Sequence, residues 1–426
     1  MISVIKADGK REFEFLKSIR EKTLAPGANV DDVVKNILAD VKQNGDKAVS
    51  KYGKKFDGTD EIKKYENKHF QEAFTSLDDK FKEVLLKAVS RITEFHTLQL
   101  QSPIKHEEAG RNLGQLIRPL GSVGLYVPGG TAAYPSSVLM NAIPAKIAGV
   151  KEIVIVTPPT KDGVNKDVLA AAFVADVDAL YAVGGAQAIG ALAYGTETIP
   201  KVDKIVGPGN IFVATAKKMV FGECDIDMIA GPSEITIVAD KDANPKFVAA
   251  DLLSQAEHDK LASSILLTDS ETLANKVKEE LEKQTAKLER KDIMLASLKD
   301  CGGIIICQTI EECVKIANYI APEHLELMTN KPEELLELVD HAGSVFLGEY
   351  TPEAVGDYLA GTNHVLPTGG SARFFSPLSV DSFIKKIQYA SYSRSMLSSD
   401  ADNIINFATR EGLTAHANAV RVRINK

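Results

Sequence analysis

Apolar residues recur at helical spacing through roughly the first hundred residues of the chain. Residues 30–51 and 69–98 place an apolar side chain every three or four positions, with charged residues on the opposite face. Such a pattern predicts amphipathic helices that bury one face in a core. We therefore expect a helical N-terminal region over residues 1–120, packed on the second of two α/β domains.

From about Gly121 the pattern changes to short, β-branched apolar runs that alternate with helical segments and end in glycine or proline turns. Alternation of this kind predicts parallel strands joined by right-handed crossovers. The runs form two sets, separated near Asp240, which favours two doubly wound, incomplete Rossmann-like domains over residues 121–240 and 241–380. The predicted strands are 153–156, 179–183 and 204–206 in the first set and 264–267, 303–306 and 344–347 in the second.

The last part of the chain has a third character. After Pro352 the sequence is rich in loops, and residues 381–426 read as a small helical tail. A segment this short cannot bury a core of its own. It must therefore pack on something, either its own subunit or another.

Composition excludes several classes of protein. A chain of 426 residues is long enough for two or more cores, and 44% hydrophobic with 25% charged residues is ordinary for a globular protein. Fifty basic against 58 acidic residues give a net charge of −8, and no basic run interrupts that balance, which argues against a nucleic-acid surface. No apolar run reaches the roughly 18 residues of a membrane span, so no membrane partner is expected.

Cysteine usage points to a reducing compartment. Four cysteines are too few for a disulfide framework in so long a chain, and their spacing is not that of a zinc knuckle. Buried, reduced thiols are favoured over a catalytic cysteine. The N-terminus lacks the apolar core of a signal peptide, so we expect a cytoplasmic protein. The four are Cys224, Cys301, Cys307 and Cys313.

Histidines fall in short polar motifs in the second half of the chain. Gln255 and His258 lie three apart at the end of a helix predicted to begin after Pro245, a spacing that puts two side chains on one helical face. Histidine is the commonest metal ligand, and zinc takes nitrogen and oxygen donors from several segments. Each motif alone has an ordinary explanation, such as a packed pair or a helix cap, so the metal hypothesis depends on their conjunction. The other candidates are Glu323-His324, Asp357, His364 and His416, whereas His69, His96 and His106 are expected to be exposed.

Glycine turns follow three predicted strands, where a doubly wound sheet binds ligands and where backbone can approach a phosphate. None of them is the dinucleotide fingerprint G-x-G-x-x-G, so the motifs alone leave nucleotide binding and plain structural turns both open. The turns are Tyr126-Val127-Pro128-Gly129-Gly130, Gly184-Gly185-Ala186-Gln187 and Gly207-Pro208-Gly209-Asn210.

Taken in order and spacing, these turns, the segment Ala230-Gly231-Pro232-Ser233-Glu234 and the histidine motifs resemble the histidinol dehydrogenase family over nearly the whole chain. The resemblance implies NAD-dependent, four-electron oxidation of L-histidinol to L-histidine through the aldehyde. It also implies a homodimer with one zinc ion per subunit, the tail being exchanged between subunits. The implied NAD contacts are Tyr126, Gln187 and Asn210, and the implied zinc ligands are Gln255, His258, Asp357 and, from the partner subunit, His416.

The resemblance also assigns the proton chemistry. His324 would be the base of the hydride steps, for which an imidazole suits neutral pH, and Glu323 would activate the water that attacks the aldehyde. The implied substrate contacts are Ser233, Gln255, His258, His324, Asp357, Glu411 and His416, and His364 is expected to line the pocket. Two alternatives stay open: a zinc- and NAD-dependent dehydrogenase of another amino or sulfonated alcohol, and a non-enzymatic binding protein on the same scaffold.

Overall fold

The computed structural model describes residues 2–24, 29–129 and 133–424, so Gly130 of the first glycine turn lies outside the described residues. The chain divides into two compact units. The large unit comprises Met1–Gln99 and Leu120–Phe383, and the small unit comprises Leu100–Pro119 and Ile384–Lys426. Each is described separately below.

The N-terminal part of the large unit is mostly helical, as the apolar periodicity predicts. The buried residues of one helix are Val30, Val34, Ile37, Leu38 and Val41, a spacing of three and four that lines one face. The elements are β1 (Ser3–Lys6), α1 (Arg11–Leu24), α2 (Val30–Asn44), α3 (Asp46–Phe56), β2 (Lys63–Tyr65), α4 (Asn67–Ser76) and α5 (Asp79–Thr97).

Both long helices expected in this region are interrupted. Gly45 has a φ of 53°, which an L side chain rarely adopts, and it separates α2 from α3. Leu77 is extended, and Asp78 then caps α5 by accepting a hydrogen bond from the Phe81 N–H at 3.0 Å. Sequence periodicity did not predict these breaks because the apolar stripe continues across them.

Next along the chain come β3 (Ile104–Glu108) and β4 (Arg111–Pro119) of the small unit, and then the first α/β set. Its strands are short and almost wholly buried, as parallel strands covered on both faces should be. The elements are β5 (Ser122–Tyr126), α6 (Pro135–Ala148), β6 (Glu152–Thr157), α7 (Lys166–Val174), β7 (Ala179–Ala182), α8 (Gly185–Tyr194), β8 (Lys204–Val206), α9 (Ile211–Val220) and β9 (Asp225–Ile226).

The second α/β set completes the large unit. Its elements are β10 (Glu234–Ala239), α10 (Pro245–Ala256), β11 (Ser263–Thr268), α11 (Glu271–Thr285), α12 (Lys291–Asp300), β12 (Gly302–Ile306), α13 (Ile310–Ile320), β13 (His324–Met328), α14 (Pro332–Leu336), β14 (Ser344–Leu347) and α15 (Glu353–Tyr358). Short 3₁₀ turns follow at Ser371–Arg373 and Val380–Phe383.

The two sets form two sheets with one strand order. Within the described residues, the first sheet runs β2-β7-β6-β5-β8-β9 and the second runs β1-β12-β11-β10-β13-β14. All pairs are parallel except β2 with β7. The expected mixed α/β fold with parallel sheets and packed helices is confirmed. The N-terminal region contributes an edge strand to each sheet, and its helices α2 to α5 pack on the first α/β set rather than on the second.

The small unit contains a sheet, whereas the sequence predicted only helices for residues 381–426. Strand β15 (Ile384–Tyr392) pairs antiparallel with β4, which pairs with β3, and the helices α16 (Arg394–Arg410) and α17 (Thr414–Ile424) follow it. The strand was missed because its partner lies more than 250 residues earlier, as in the pairing of Ile384 with Pro119. Among the described residues, no helix is both long and apolar enough to cross a membrane.

Candidate active site

The acid–base candidates lie at the amino edge of the second sheet. His324 is the first residue of β13 and pairs in register with Ile235 of the parallel strand β10. A tight connection places it there: Ala321, with a φ of 52°, ends α13, and Pro322 and Glu323 lead directly into the strand. This short turn fixes both side chains on rigid backbone.

The Glu323 carboxylate is enclosed. Its Oε2 atom accepts a hydrogen bond from the Glu234 N–H at 2.9 Å. Burial raises the pKa of Glu323 well above its ordinary value, and the nearby charges of Glu234 and Asp357 raise it further. A carboxylate with a raised pKa is a stronger base than an ordinary glutamate.

His324 is held as a neutral imidazole. Its Nδ1 atom lies 3.0 Å from the carbonyl oxygen of Glu234, which can only accept, so Nδ1 carries the proton and Nε2 keeps its lone pair. Burial lowers the pKa of His324 to about 4, although the Asp357 carboxylate opposes this shift. The arrangement therefore supplies an unprotonated ring nitrogen that can accept a proton.

A group of N and O donors surrounds His324. His324, Glu353 and Asp357 each offer a ligand atom, and these atoms lie within 4.8 Å of one another. Gln255, buried in the last turn of α10, belongs to the same group: its side-chain amide lies 3.2 and 3.1 Å from the two Glu353 oxygens and 3.1 Å from His324 Nδ1. Burial raises the pKa of Glu353 well above its ordinary value, and the Asp357, Glu323 and Asp251 carboxylates add to the shift. Crowded oxygen and nitrogen donors with an excess of acidic groups suit a divalent cation.

Glu353 was not singled out by the sequence reasoning. It follows Pro352 and so has the usual position of an acidic residue at the start of a helix. A usable signal was its four-residue spacing from Asp357, which places both carboxylates on one face of α15. The two carboxylates indicate a metal site only because His324 lies beside them in the structure.

His258 is placed by a turn. Helix α10 ends at Ala256, and the His258 N–H bonds to the Gln255 carbonyl at 3.2 Å. The three-residue relationship to Gln255 is therefore kept without the helix that was predicted to provide it. His258 is exposed, and its ring lies close enough to His324 to contribute to the lowered pKa there.

His364 connects the two sheets. Its Nδ1 atom lies 3.2 Å from the Asp357 carbonyl and 3.8 Å from the Asp357 carboxylate. Its Nε2 atom lies 3.5 Å from Ser137 Oγ, in the first turn of α6, which follows β5 of the first sheet. Ser233, immediately before β10, accepts a backbone hydrogen bond from Ser263 at 2.9 Å. The amino edge of the second sheet thus meets a helix that starts beyond the carboxyl edge of the first.

The glycine turns lie at that carboxyl edge. Tyr126 ends β5, is buried, and accepts a hydrogen bond on its hydroxyl from the Gly185 N–H at 3.2 Å. Gln187 lies in the first turn of α8 and donates to Asp57 at 3.4 Å. Asn210 caps α9, its Oδ1 accepting from the Phe212 and Val213 N–H groups at 3.0 and 3.2 Å. The capped orientation leaves the Asn210 amide nitrogen as the group for a ligand.

A buried ion pair braces the third turn. Lys217 and Asp227 form a close salt bridge, with side chains only 2% and 1% exposed. Asp227 accepts a hydrogen bond from the Gly207 N–H at 2.7 Å, and Lys217 donates to the Gly207 carbonyl at 2.9 Å. The N–H and the carbonyl of Gly207 are therefore both bonded to this ion pair.

Glu411 and His416 belong to the small unit. Glu411 is the C-terminal cap of α16, and His416 lies in the first turn of α17; both are exposed.

Of the three histidines expected to be exposed, His96 is buried, and that prediction was wrong. It lies on the apolar face of α5, with Nδ1 2.7 Å from Gln99 Oε1. All four cysteines are buried and free, as predicted.

Known proteins are similar to this chain in sequence and in structure. The sequence model described as histidinol dehydrogenase matches residues 21–424. The histidinol dehydrogenase of Clostridium acetobutylicum is 53% identical over 422 residues, covering 98% of this chain and 96% of that protein. That of Bacillus subtilis is 54% identical over 393 residues, covering 92% of each. A crystal structure of histidinol dehydrogenase from Elizabethkingia anophelis superposes with a TM-score of 0.93 at 38% identity, covering 99% of this chain and 98% of that one.

Proposed function

The chain belongs to the histidinol dehydrogenase family, a family of oxidoreductases, and from that membership we propose that it oxidises L-histidinol to L-histidine in histidine biosynthesis. The proposed reaction passes through L-histidinaldehyde, reduces two NAD and consumes one water. The observation that carries the proposal is the pairing of a neutral, buried imidazole with a buried carboxylate at one sheet edge. The four buried thiols fit a reducing compartment, and we propose the cytoplasm.

His324 and Glu323 have separate tasks in this proposal. His324 Nε2 takes the proton of the alcohol as hydride leaves the carbon, and the Nδ1–H bond to the Glu234 carbonyl keeps the ring in the required tautomer. Glu323 takes a proton from the water that attacks the aldehyde carbon. Its raised pKa makes the carboxylate basic enough for that transfer. Because His324 and Glu323 are adjacent in the chain, both can act at the same substrate carbon.

The donor group around His324 fits zinc. We assign Gln255, His258 and Asp357 as its ligands in one subunit, with His416 of the partner subunit as the fourth. The close approach of Asp357 and His324 and the buried amide of Gln255 support this assignment. A zinc ion held there would orient the nitrogen donors of the substrate. Glu353, which contacts Gln255, would hold that amide in place.

The carboxyl edge of the first sheet fits NAD. Strand order reverses between β5 and β8, and doubly wound sheets bind ligands in the crevice at such a point. Tyr126 ends β5 and Asn210 follows β8, so the two flank that crevice, and Gln187 follows the nearby β7. When bound, NAD supplies the hydride acceptor for both oxidations. Tyr126, Gln187 and Asn210 would hold it through aromatic contact and amide hydrogen bonds.

Glu411 and His416 lead us to propose a homodimer with exchanged tails. The small unit exposes large apolar side chains on α16 and around α17, among them Phe407 at 72% and Val422 at 60%. Exposed apolar groups of this size are typical of an interface. In a two-fold dimer each tail would supply Glu411 and His416 to the partner's site. Glu411 would pair with a cationic group of the substrate, near Ser233 and His364.

One assay tests the proposal. Purified protein given L-histidinol and NAD should form about two NADH per histidine and contain about one zinc per subunit. Exhaustive chelation should abolish turnover, and added zinc should restore it. A panel of other amino and sulfonated alcohols serves as the control. Turnover of one of those in place of histidinol, or full activity in metal-free protein, would contradict the assignment.

A further inference from the structure

Asp57 occupies an unusual electrostatic position. It is the residue that ends α3, where the helix dipole disfavours a negative charge. Its carboxylate instead faces the start of α8, accepting from the Gly184 N–H at 3.3 Å and from Gln187 Nε2 at 3.4 Å. A helix N-terminus after a parallel strand is the place where a dinucleotide fold holds an anion. In this protein a side chain supplies that anion.

The same turn holds an oxygen atom that lacks a hydrogen-bond donor. Gln187 is fully buried, and within the described part of the chain its Oε1 atom has no hydrogen-bond partner. Oε1 faces Gly185, where an added Cβ atom would lie only 2.7 Å from it. Buried amide oxygens are seldom left without a donor. The turn therefore presents two acceptors, the Asp57 carboxylate and the Gln187 oxygen, to any ligand that brings hydroxyl groups.

Acidic groups line the small cavity beside this turn. Its described lining includes the residues Asp57, Asp60 and Glu61 and contains no lysine or arginine. The nearby Lys54 is directed to Asp60, 3.6 Å from its carboxylate. A site for a second phosphate group would need cations at this point. The cavity is suited to neutral donors and repels additional negative charge.

The strand order places this cavity away from the reacting end of the cofactor. Strand β7, which precedes the turn, is separated by β6 from β5, which precedes α6 and its contact with His364. Two strand spacings amount to about 10 Å. A dinucleotide whose nicotinamide lies toward His324 would extend its adenosine half along the edge toward β7.

We propose that Asp57 binds the ribose hydroxyl groups of the adenosine half of NAD and makes the protein reject NADP. This inference rests on the proposed NAD site at the Gly184–Gln187 turn. The ribose hydroxyls of NAD would donate to the carboxylate and to Gln187 Oε1. In NADP one of those hydroxyls is replaced by a phosphate, which loses the donor and brings negative charge against the Asp57 carboxylate.

The test compares the binding of NADH and NADPH, followed by the fluorescence of the reduced nicotinamide in the absence of histidinol. In Asp57→Asn, which keeps the shape and removes the charge, NADPH should gain at least about tenfold in affinity relative to NADH. In Asp57→Glu, which keeps the charge but shifts it, NADH should weaken while NADPH stays excluded. Asp79→Asn removes the same unit of charge from a fully exposed side chain in α5 and controls for net charge.

Three outcomes are decisive. A rise in the affinity for NADPH relative to NADH that occurs in Asp57→Asn and not in the Asp79→Asn control supports the proposal. The ratio of kcat/KM for the two cofactors should shift in the same direction. An unchanged ratio in a variant that melts like the wild type and binds NADH overturns the role of Asp57 and leaves the NAD site intact. Failure of the wild type to bind NADH would overturn both the NAD site and this inference.

Discussion

Replacing Lys217 by methionine tests the brace beneath the Gly207–Asn210 turn. The change removes one partner of an ion pair whose side chains are 2% and 1% exposed, and leaves the Asp227 charge buried without its cation. Breaking a buried pair in this way costs about 3–5 kcal/mol. The Gly207 carbonyl also loses its donor at 2.9 Å, which is part of the same loss. We therefore expect Lys217→Met to lower the free energy of unfolding by about 4 kcal/mol.

Urea unfolding, followed by circular dichroism and tyrosine fluorescence, measures the loss if the two probes coincide. Lys218→Met is the matched control, because Lys218 is the exposed neighbour in the same helix and its replacement should change stability by less than about 0.5 kcal/mol. In the double variant Lys217→Met/Asp227→Asn, the removed charge should restore about 2 kcal/mol or more. A loss below about 1 kcal/mol in Lys217→Met, or a double variant no more stable than the single, would refute the reasoning.

Three further predictions concern the site. Glu323→Gln should lose about 10²–10⁴-fold in the oxidation of aldehyde to acid while keeping reduction of the aldehyde by NADH; equal losses in both half-reactions would show that the roles are not separable. Glu323→Gln and His416→Ala, refolded together, should regain activity, since one site of each mixed dimer receives both defects and the other neither; inactive but proven heterodimers would exclude a shared site. Burial raises the pKa of Glu234 to about 7, so the folded protein retains a proton that the unfolded chain has already released, and stability should fall as pH rises from about 4.5 to 7. Glu234→Gln should flatten that slope, worth about 3 kcal/mol, in melting curves at about pH 5 and about pH 8; an unchanged slope would contradict it.

Local pattern sufficed for much of the fold. The strands expected at 153–156 and 264–267 lie within β6 and β11, because buried parallel strands carry uninterrupted apolar runs. The helix expected after Pro245 begins at that residue, whose missing N–H costs nothing in a first turn. Strand β15 was not predicted because its residues are mostly exposed and its partner strand is distant in sequence. The pairing of strands far apart in the chain cannot be predicted from the hydrophobic pattern of a short segment.

The site was predictable only as a set of segments. Motif spacing singled out His324 and Asp357, but it could not show that Glu353 would lie beside them, nor that Asp57 would reach the α8 turn. Both depend on where distant elements meet. The general rule for doubly wound sheets placed the glycine turns at a carboxyl edge, whereas His324 starts its strand and lies at an amino edge. Only the packed structure brings the two kinds of edge together through Ser137 and His364.

The pairing of β1 has a consequence for how the chain folds during synthesis. Ser3 lies opposite Gly303, so β1 is synthesised 300 residues before the strand with which it pairs. At about 5–20 residues per second that delay is about 15–60 s. After β12 has been made, its Ile304-Ile305-Ile306 run is an apolar edge that can pair with another chain until β1 pairs with it. Substitutions that weaken β1 should therefore reduce the yield of folded protein by aggregation more than they reduce the stability of the finished molecule.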